Sequence, residues 1–203
     1  MILSEQQHDA LAELINIAFS RTAASLSDLT GQRVQLDAPN VDVRPLTELG
    51  KLLDRQVQRA DLATVHQVFS GPLAGDAFLL LNYSDAVRLT ALLTESDDEY
   101  AGAQLDASSR EVLTEVGNIL LNTCLSMFGD LLQMHLTFAV PQLRLDELNA
   151  LINSVAFSSD EVHYALIVYT SFRLRASAIS GYIVVVLGVT SLDALIQAIE
   201  RLG

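Results

Sequence analysis

The sequence predicts a single α/β (α+β) domain with an internal pseudo-two-fold repeat, its two long helices packed on one shared, mostly antiparallel sheet. Three observations predict it. One constant shift lays the opening of the first half, from the long helix to a proline, on that of the second, and the later parts correspond at a slightly different offset. A stripe of apolar residues at helical spacing opens each half. A pair of β-rich runs around a tight turn closes each half.

The repeat is clearest in HDALAELINIAFSRTAASLSDL, from His8 to Leu29, set against REVLTEVGNILLNTCLSMFGDL, from Arg110 to Leu131. The shift places Glu13 on Glu115, Asn16 on Asn118, Ile17 on Ile119, Asp28 on Asp130 and Leu29 on Leu131, and it carries Pro39 onto Pro141 without a gap. Leu11, Leu14, Ile15 and Ala18 form the apolar stripe of the first long helix; Val112, Leu113, Val116 and Leu120 form that of the second. Ser4 and Asp106 are the expected N-caps. Next, Val34 to Val43 and Met134 to Leu145 alternate as strands do, each with a proline inside. Proline removes a ladder donor, so these strands are expected at an edge or a bulge.

After an irregular segment, Thr64 to Phe69 and Ala77 to Tyr83 read as two strands around SGPLAGD, matched by Val162 to Phe172 and Ala176 to Leu187. Short helices follow at Ser84 to Leu93 and Ser191 to Leu202. The acidic, Gly-containing stretch Glu95 to Gln104 is the best linker between the halves. Each half offers about three strands, a marginal sheet by itself. The expected organisation is therefore one domain over 1–203, with repeats at about 4–94 and 106–202.

Composition narrows the function classes. Half of the 203 residues are apolar, aromatics are few and there is no Trp, so a core built from Leu, Val, Ile and Ala is expected. A formal net charge of -13 argues against nucleic acid and against anionic membrane surfaces, and fits a protein partner with a basic patch. The longest candidate membrane stretch, Tyr182 to Val189, is too short to span and reads as a buried strand. The lone cysteine, Cys124, excludes an intramolecular disulfide and reads as a buried, inert thiol. With no basic, apolar leader in MILSEQQHDA, the expected location is the cytoplasm.

His8, His66, His135 and His163 lack metal-ligand spacing, and the two in strands read as packing or surface residues. Asp97-Asp98-Glu99 lacks the alternating ligands and central Gly of a calcium loop. Neither a G-x-S-x-G elbow nor a P-loop is present. Arg173 and Arg175, flanking a turn, read as surface charges.

The polar residues of the long helices carry the chemistry. Glu13 and Asn16, three apart, share one helix face, and Asp9 extends it by a turn. Glu111, Glu115 and Asn118 repeat the pattern. One Glu-x-x-Asn pair on a helix is weak evidence, since solvated faces contain many. A second copy in the same register, with the same downstream proline, is far more specific. Asn is also a poor mid-helix residue, because its side chain competes for backbone hydrogen bonds.

These residues resemble the signature of the CheC, CheX and FliY phosphatases: Asp or Ser, three residues, Glu, two residues, Asn, then a proline further on. The first copy is Asp9, Glu13, Asn16 and Pro39; the second is Glu115, Asn118 and Pro141, with Glu111 in place of Asp or Ser. Ala18-Phe19 and Leu120-Leu121 stand where the family often has small residues, and are expected to alter how closely a partner approaches.

The resemblance implies a phosphatase for an aspartyl-phosphorylated, CheY-like chemotaxis response regulator. In that scheme Asn16 and Asn118 position a water for in-line attack, and Glu13 and Glu115 pair with the regulator's active-site Lys. Asp9 and Glu111 support docking. No cofactor or metal is intrinsic; Mg2+ comes with the regulator. The alternative is a weakly catalytic or non-catalytic adaptor that binds phosphorylated regulator or a CheD-like deamidase. A structural switch component like FliY ranks below both, and CheX-type proteins are usually shorter with one motif.

Overall fold

The computed structural model describes residues 3–56, 62–94, 104–145, 163–174 and 177–201. Two twin helices dominate it: α1, Glu5–Thr30, and α4, Ala107–Leu132, each of 26 residues and in identical repeat register. Between and after them run β1 (Val34–Leu36), β2 (Asn40–Pro45), α2 (Leu46–Gln56), β3 (Leu62–Ser70), β4 (Gly75–Asn82), α3 (Tyr83–Leu93), β5 (Thr137–Phe138), β6 (Gln142–Arg144), β7 (His163–Leu174), β8 (Ser177–Gly188) and α5 (Val189–Glu200).

The twin helices begin and end by local chemistry. The Ser4 hydroxyl accepts from the Gln7 backbone N–H, and the Gln7 side chain accepts from the Ser4 N–H, a reciprocal capping box. The Asp106 carboxylate accepts from the Ser109 N–H at 2.7 Å, which holds that carboxyl below its ordinary pKa. Both helices stop at a left-handed residue, Gly31 with φ 65° and Gln133 with φ 52°. Glycine adopts that conformation freely. Gln133 holds it with its own N–H bonded to Asp130 O and the Met134 N–H bonded to Gly129 O.

Among the described residues the sheet has eight strands in the order β1-β7-β8-β4-β3-β5, with β2 also on β7 and β6 also on β3. Every described pairing is antiparallel. The halves are interleaved: the first half's β1 and β2 pair with the second half's β7, and the second half's β5 and β6 pair with the first half's β3. The β4–β8 pair joins the two halves at the centre. Neither half therefore completes its share of the sheet without the other.

Pro39 and Pro141 fall where the outer strands break, and both outer lines lie at sheet edges, as the missing donor requires. The breaks are built alike. The Asp37 N–H donates to Ser171 O and the Ala139 N–H donates to Val68 O. Asp37 O accepts from the Thr170 hydroxyl, and Ala139 O from the Gln67 amide. Arg173, expected as a plain surface charge, also pairs with Asp37 at 2.8 Å and clips β1 to β7. Arg175 lies outside the described residues, as do Glu95 to Ala103 of the expected linker.

One sheet face carries α1, α3, α4 and α5 over a core that includes Phe19, Phe69, Phe128, Val65, Leu79 and Val185. The other face buries Phe78, Leu80, Val184 and Ile167 with Leu46 and Leu49 of α2. That helix lies in what the sequence left irregular. Leu46 and Leu49 sit three apart, but the element is only three turns long and Gly50 interrupts it. The segment of the second half that would match it lies outside the described residues.

His66, read as a packing residue, stacks on Phe78 at 4.5 Å and meets the Asp76 carboxylate at 2.7 Å. His8 ties α1 to β2 through a 2.8 Å contact with Val41 O. Tyr182 to Gly188 lies in the buried central strand β8. The stretch Ala107–Asp130 is long and apolar enough to cross a membrane by composition, which the sequence reading overlooked because Asn118 and Asn122 interrupt its apolar runs. Here 56% of its most apolar window is buried inside the fold, as befits a core helix.

Cys124 is buried on α4, and burial pushes its thiol up to about 12. The native protein should therefore resist iodoacetamide at mildly alkaline pH, whereas the guanidinium-unfolded chain reacts readily. Mass spectrometry of both reads the result; fast native alkylation would mean that the core around α4 opens easily.

Candidate functional site

The inward stripe of each twin helix fixes what faces outward. On α1, Leu11, Ile15, Ala18 and Phe19 are buried, which leaves Asp9, Glu13 and Asn16 exposed on the opposite side. The Asp9 side chain is 85% exposed and lies 3.6 Å from His8 Nδ1. Ile17, beside Asn16, is 40% exposed, an apolar spot within this polar face. On α4, Leu113, Val116, Leu120, Leu121 and Cys124 are buried, Glu111 and Glu115 are exposed, and Asn118 is half-buried. Since α1 and α4 pack against each other, the two Glu-x-x-Asn pairs stand on neighbouring helices in matching register.

Phe19, Leu120 and Leu121 point into the core, with exposures of 1%, 0% and 0%. The expected crowding of a partner by these bulky residues is therefore not found; they fill space behind the site. The same helical period that exposes Asn16 and leaves Asn118 half-buried turns the residues two and three positions later inward.

The four acidic side chains make no ion pair with a basic group among the described residues, apart from Asp9 with His8. No group of three or more His, Cys, Asp or Glu side chains among the described residues comes together as a metal site requires.

Two residues near the second motif escaped the sequence reading. Asn122, one turn after Asn118, donates its amide to the Asn118 side-chain oxygen at 2.6 Å. Gly117, between Val116 and Asn118, lets α4 approach β3 so closely that a Cβ there would meet Val65 at 2.6 Å. The second Asn in NILLN was visible in the sequence, whereas the Val65 contact joins residues far apart in the chain.

No family model matches the chain. Against curated proteins it is 25% identical over 171 residues to the CheY-P phosphatase CheC of Bacillus subtilis (strain 168), covering 83% of this chain and 81% of that protein. The chain is thus similar to CheC over most of its length. It is also 22% identical over 173 residues to the flagellar motor switch phosphatase FliY of the same organism, but spans only 43% of it. Among solved structures, Thermotoga maritima FliY superposes with a TM-score of 0.76 at 16% identity, covering 99% of both chains. The FliM middle domain of H. pylori gives 0.64 at 14% identity, over 97% of this chain and 99% of that one. At such identities the two structures speak for the fold alone.

Proposed function

We propose that the chain dephosphorylates an aspartyl-phosphorylated, CheY-like response regulator. The observation that carries this reading is the duplicated Glu-x-x-Asn pair, set in one register on the outward faces of twin helices. Similarity to a protein named for CheY-P phosphatase activity supports the same substrate class. An acyl phosphate is already activated, so positioning one water supplies much of the rate. The Asn16 or Asn118 carboxamide oxygen accepts from that water, and its NH2 donates nearby. The water oxygen bonds to phosphorus as the bond from phosphorus to the aspartyl oxygen breaks. The products are an Asp carboxylate and inorganic phosphate, with the water's proton released to phosphate or solvent.

Glu13 and Glu115 pair with a Lys of the regulator, and Asp9 and Glu111 add attraction. The regulator brings its own Mg2+; this chain contributes carboxamides and carboxylates. The proposed setting is the cytoplasm. A CheD-like deamidase is a further proposed partner.

Phosphate release from phosphorylated regulator, with and without this protein, tests the reading. We expect strong stimulation of that release and almost none from a generic aryl phosphate, because half of the site arrives with the partner. Stimulation should weaken as salt rises, since an acidic face docks on a basic one. Robust aryl phosphate hydrolysis, or affinity indifferent to salt, would contradict this scheme. A second reading is a binding module without turnover; FliM of H. pylori, which shares the fold, is seen in complex with FliG. Regulator binding with no added phosphate release would select it.

A further inference from the structure

The two motifs match in sequence but not in how their asparagines are held. Asn118 accepts a 2.6 Å hydrogen bond at its side-chain oxygen from the Asn122 amide, one turn along α4. The same repeat position on α1 is Ser20, whose hydroxyl donates to the backbone oxygen of Asn16 at 3.0 Å and leaves the carboxamide alone. Asn16 is exposed and Asn118 half-buried, in keeping with one loose and one held side chain.

The Asn122 arrangement is unfavourable in two ways for a merely structural pair. Asn is a weak helix former, and α4 places two of them mid-helix a turn apart. The Asn122 side-chain oxygen is also buried and has no hydrogen-bond partner among the described residues. Reversing both amides would bury the Asn122 NH2 in that place instead, and an orphaned donor is the rarer, worse outcome. The donor therefore points at Asn118. A carboxamide oxygen has two lone pairs, so Asn118 keeps one for a water while Asn122 occupies the other. The bond fixes the Asn118 rotamer and polarises its carbonyl.

Resting on the proposed water-positioning role of Asn118, we infer that Asn122 is a positioning residue that preorganises the second site, and that the first site lacks this support. Asn16 must be ordered when the regulator docks. The second site thus has the higher kcat, and the difference between the sites lies in kcat rather than in KM.

The test isolates each site. In an Asn16→Ala background, Asn122→Ala and the isosteric Asn122→Asp should each lower kcat on the order of tenfold with KM nearly unchanged. Asp keeps the shape but, when ionised, has no NH2 to donate, and urea unfolding of the same variant separates that loss from the cost of a buried carboxylate. In an Asn118→Ala background, Ser20→Asn should raise kcat of the first site. Independently of activity, the Asn122 side-chain amide protons should exchange slowly in the wild type by NMR, and faster in Asn118→Ala. Unchanged kcat in Asn16→Ala/Asn122→Asp, or an unprotected Asn122 amide, overturns the inference. Failure of the underlying reading looks different: Asn16→Ala/Asn118→Ala would then keep its activity.

Discussion

Replacing both Asn16 and Asn118 by Ala should abolish stimulated dephosphorylation, lowering it about a hundredfold or more, while regulator binding persists. Each asparagine sits on its own helix with its own glutamate one turn earlier, so neither site borrows a side chain from the other. Asn16→Ala should therefore silence the first site and spare the second, and Asn118→Ala the converse. Docking survives because Asp9, Glu13, Glu111 and Glu115 remain on the outward face.

The stabilities of these variants should separate in a way that reports the local structure. Asn16 is exposed, so Ala there should raise helix stability by about 0.5 kcal/mol through propensity alone. Asn118→Ala gains the same propensity but strips the Asn122 amide of its acceptor, which costs about 1 kcal/mol or more. Urea unfolding and phosphate release, measured in parallel, check both statements. If one single variant loses all activity while folded, the sites are coupled. Wild-type activity in the double variant would remove the carboxamides from the mechanism altogether.

How much of this was legible in the sequence depended on how far apart the interacting residues lie. The caps Ser4 and Asp106 were legible because capping is settled within one turn. The outward placement of Asn16 and Asn118 followed from the period of their apolar neighbours. The four long strands came within about two residues of their observed ends, because β-rich runs and turns are local signals. The interleaving of the halves was hidden, since pairing β2 with β7 joins residues such as Val41 and Val168. Arg173 looked like a surface charge for the same reason; its partner Asp37 lies on another strand. Leu120 and Leu121 were misjudged by comparison with a family pattern, although the stripe of Leu113 and Val116 already turned them inward.

Gly117→Ala should destabilise the protein, against the rule that Ala is the better helix former. The exchange gains about 1 kcal/mol of helix propensity. Against this, the new Cβ would lie 2.6, 2.7 and 2.8 Å from three side-chain carbons of Val65, closer than carbon atoms pack. Val65 is 1% exposed and β-branched, so it has little freedom to turn away. Overpacking of this kind costs about 1–3 kcal/mol, for a net loss of about 1–2 kcal/mol at the upper end of that range. The repeat position on α1 is Ile15, buried in full, so the tight approach of helix to sheet belongs to the second half. Val65→Ala alone should cost about 2 kcal/mol for the cavity it leaves. Combined with Gly117→Ala it should cost about 1 kcal/mol less than the sum, because each change makes room for the other. Because Asn118 is the next residue, any outward shift of α4 at Gly117 also moves the second carboxamide. Gly117→Ala should therefore reduce phosphate release in an Asn16→Ala background, and Val65→Ala should restore part of it. Urea midpoints for the four-member cycle decide the packing claim. Stabilisation by Gly117→Ala, with strict additivity to Val65→Ala, would mean that α4 has slack against β3 and that glycine is not what seats the second site.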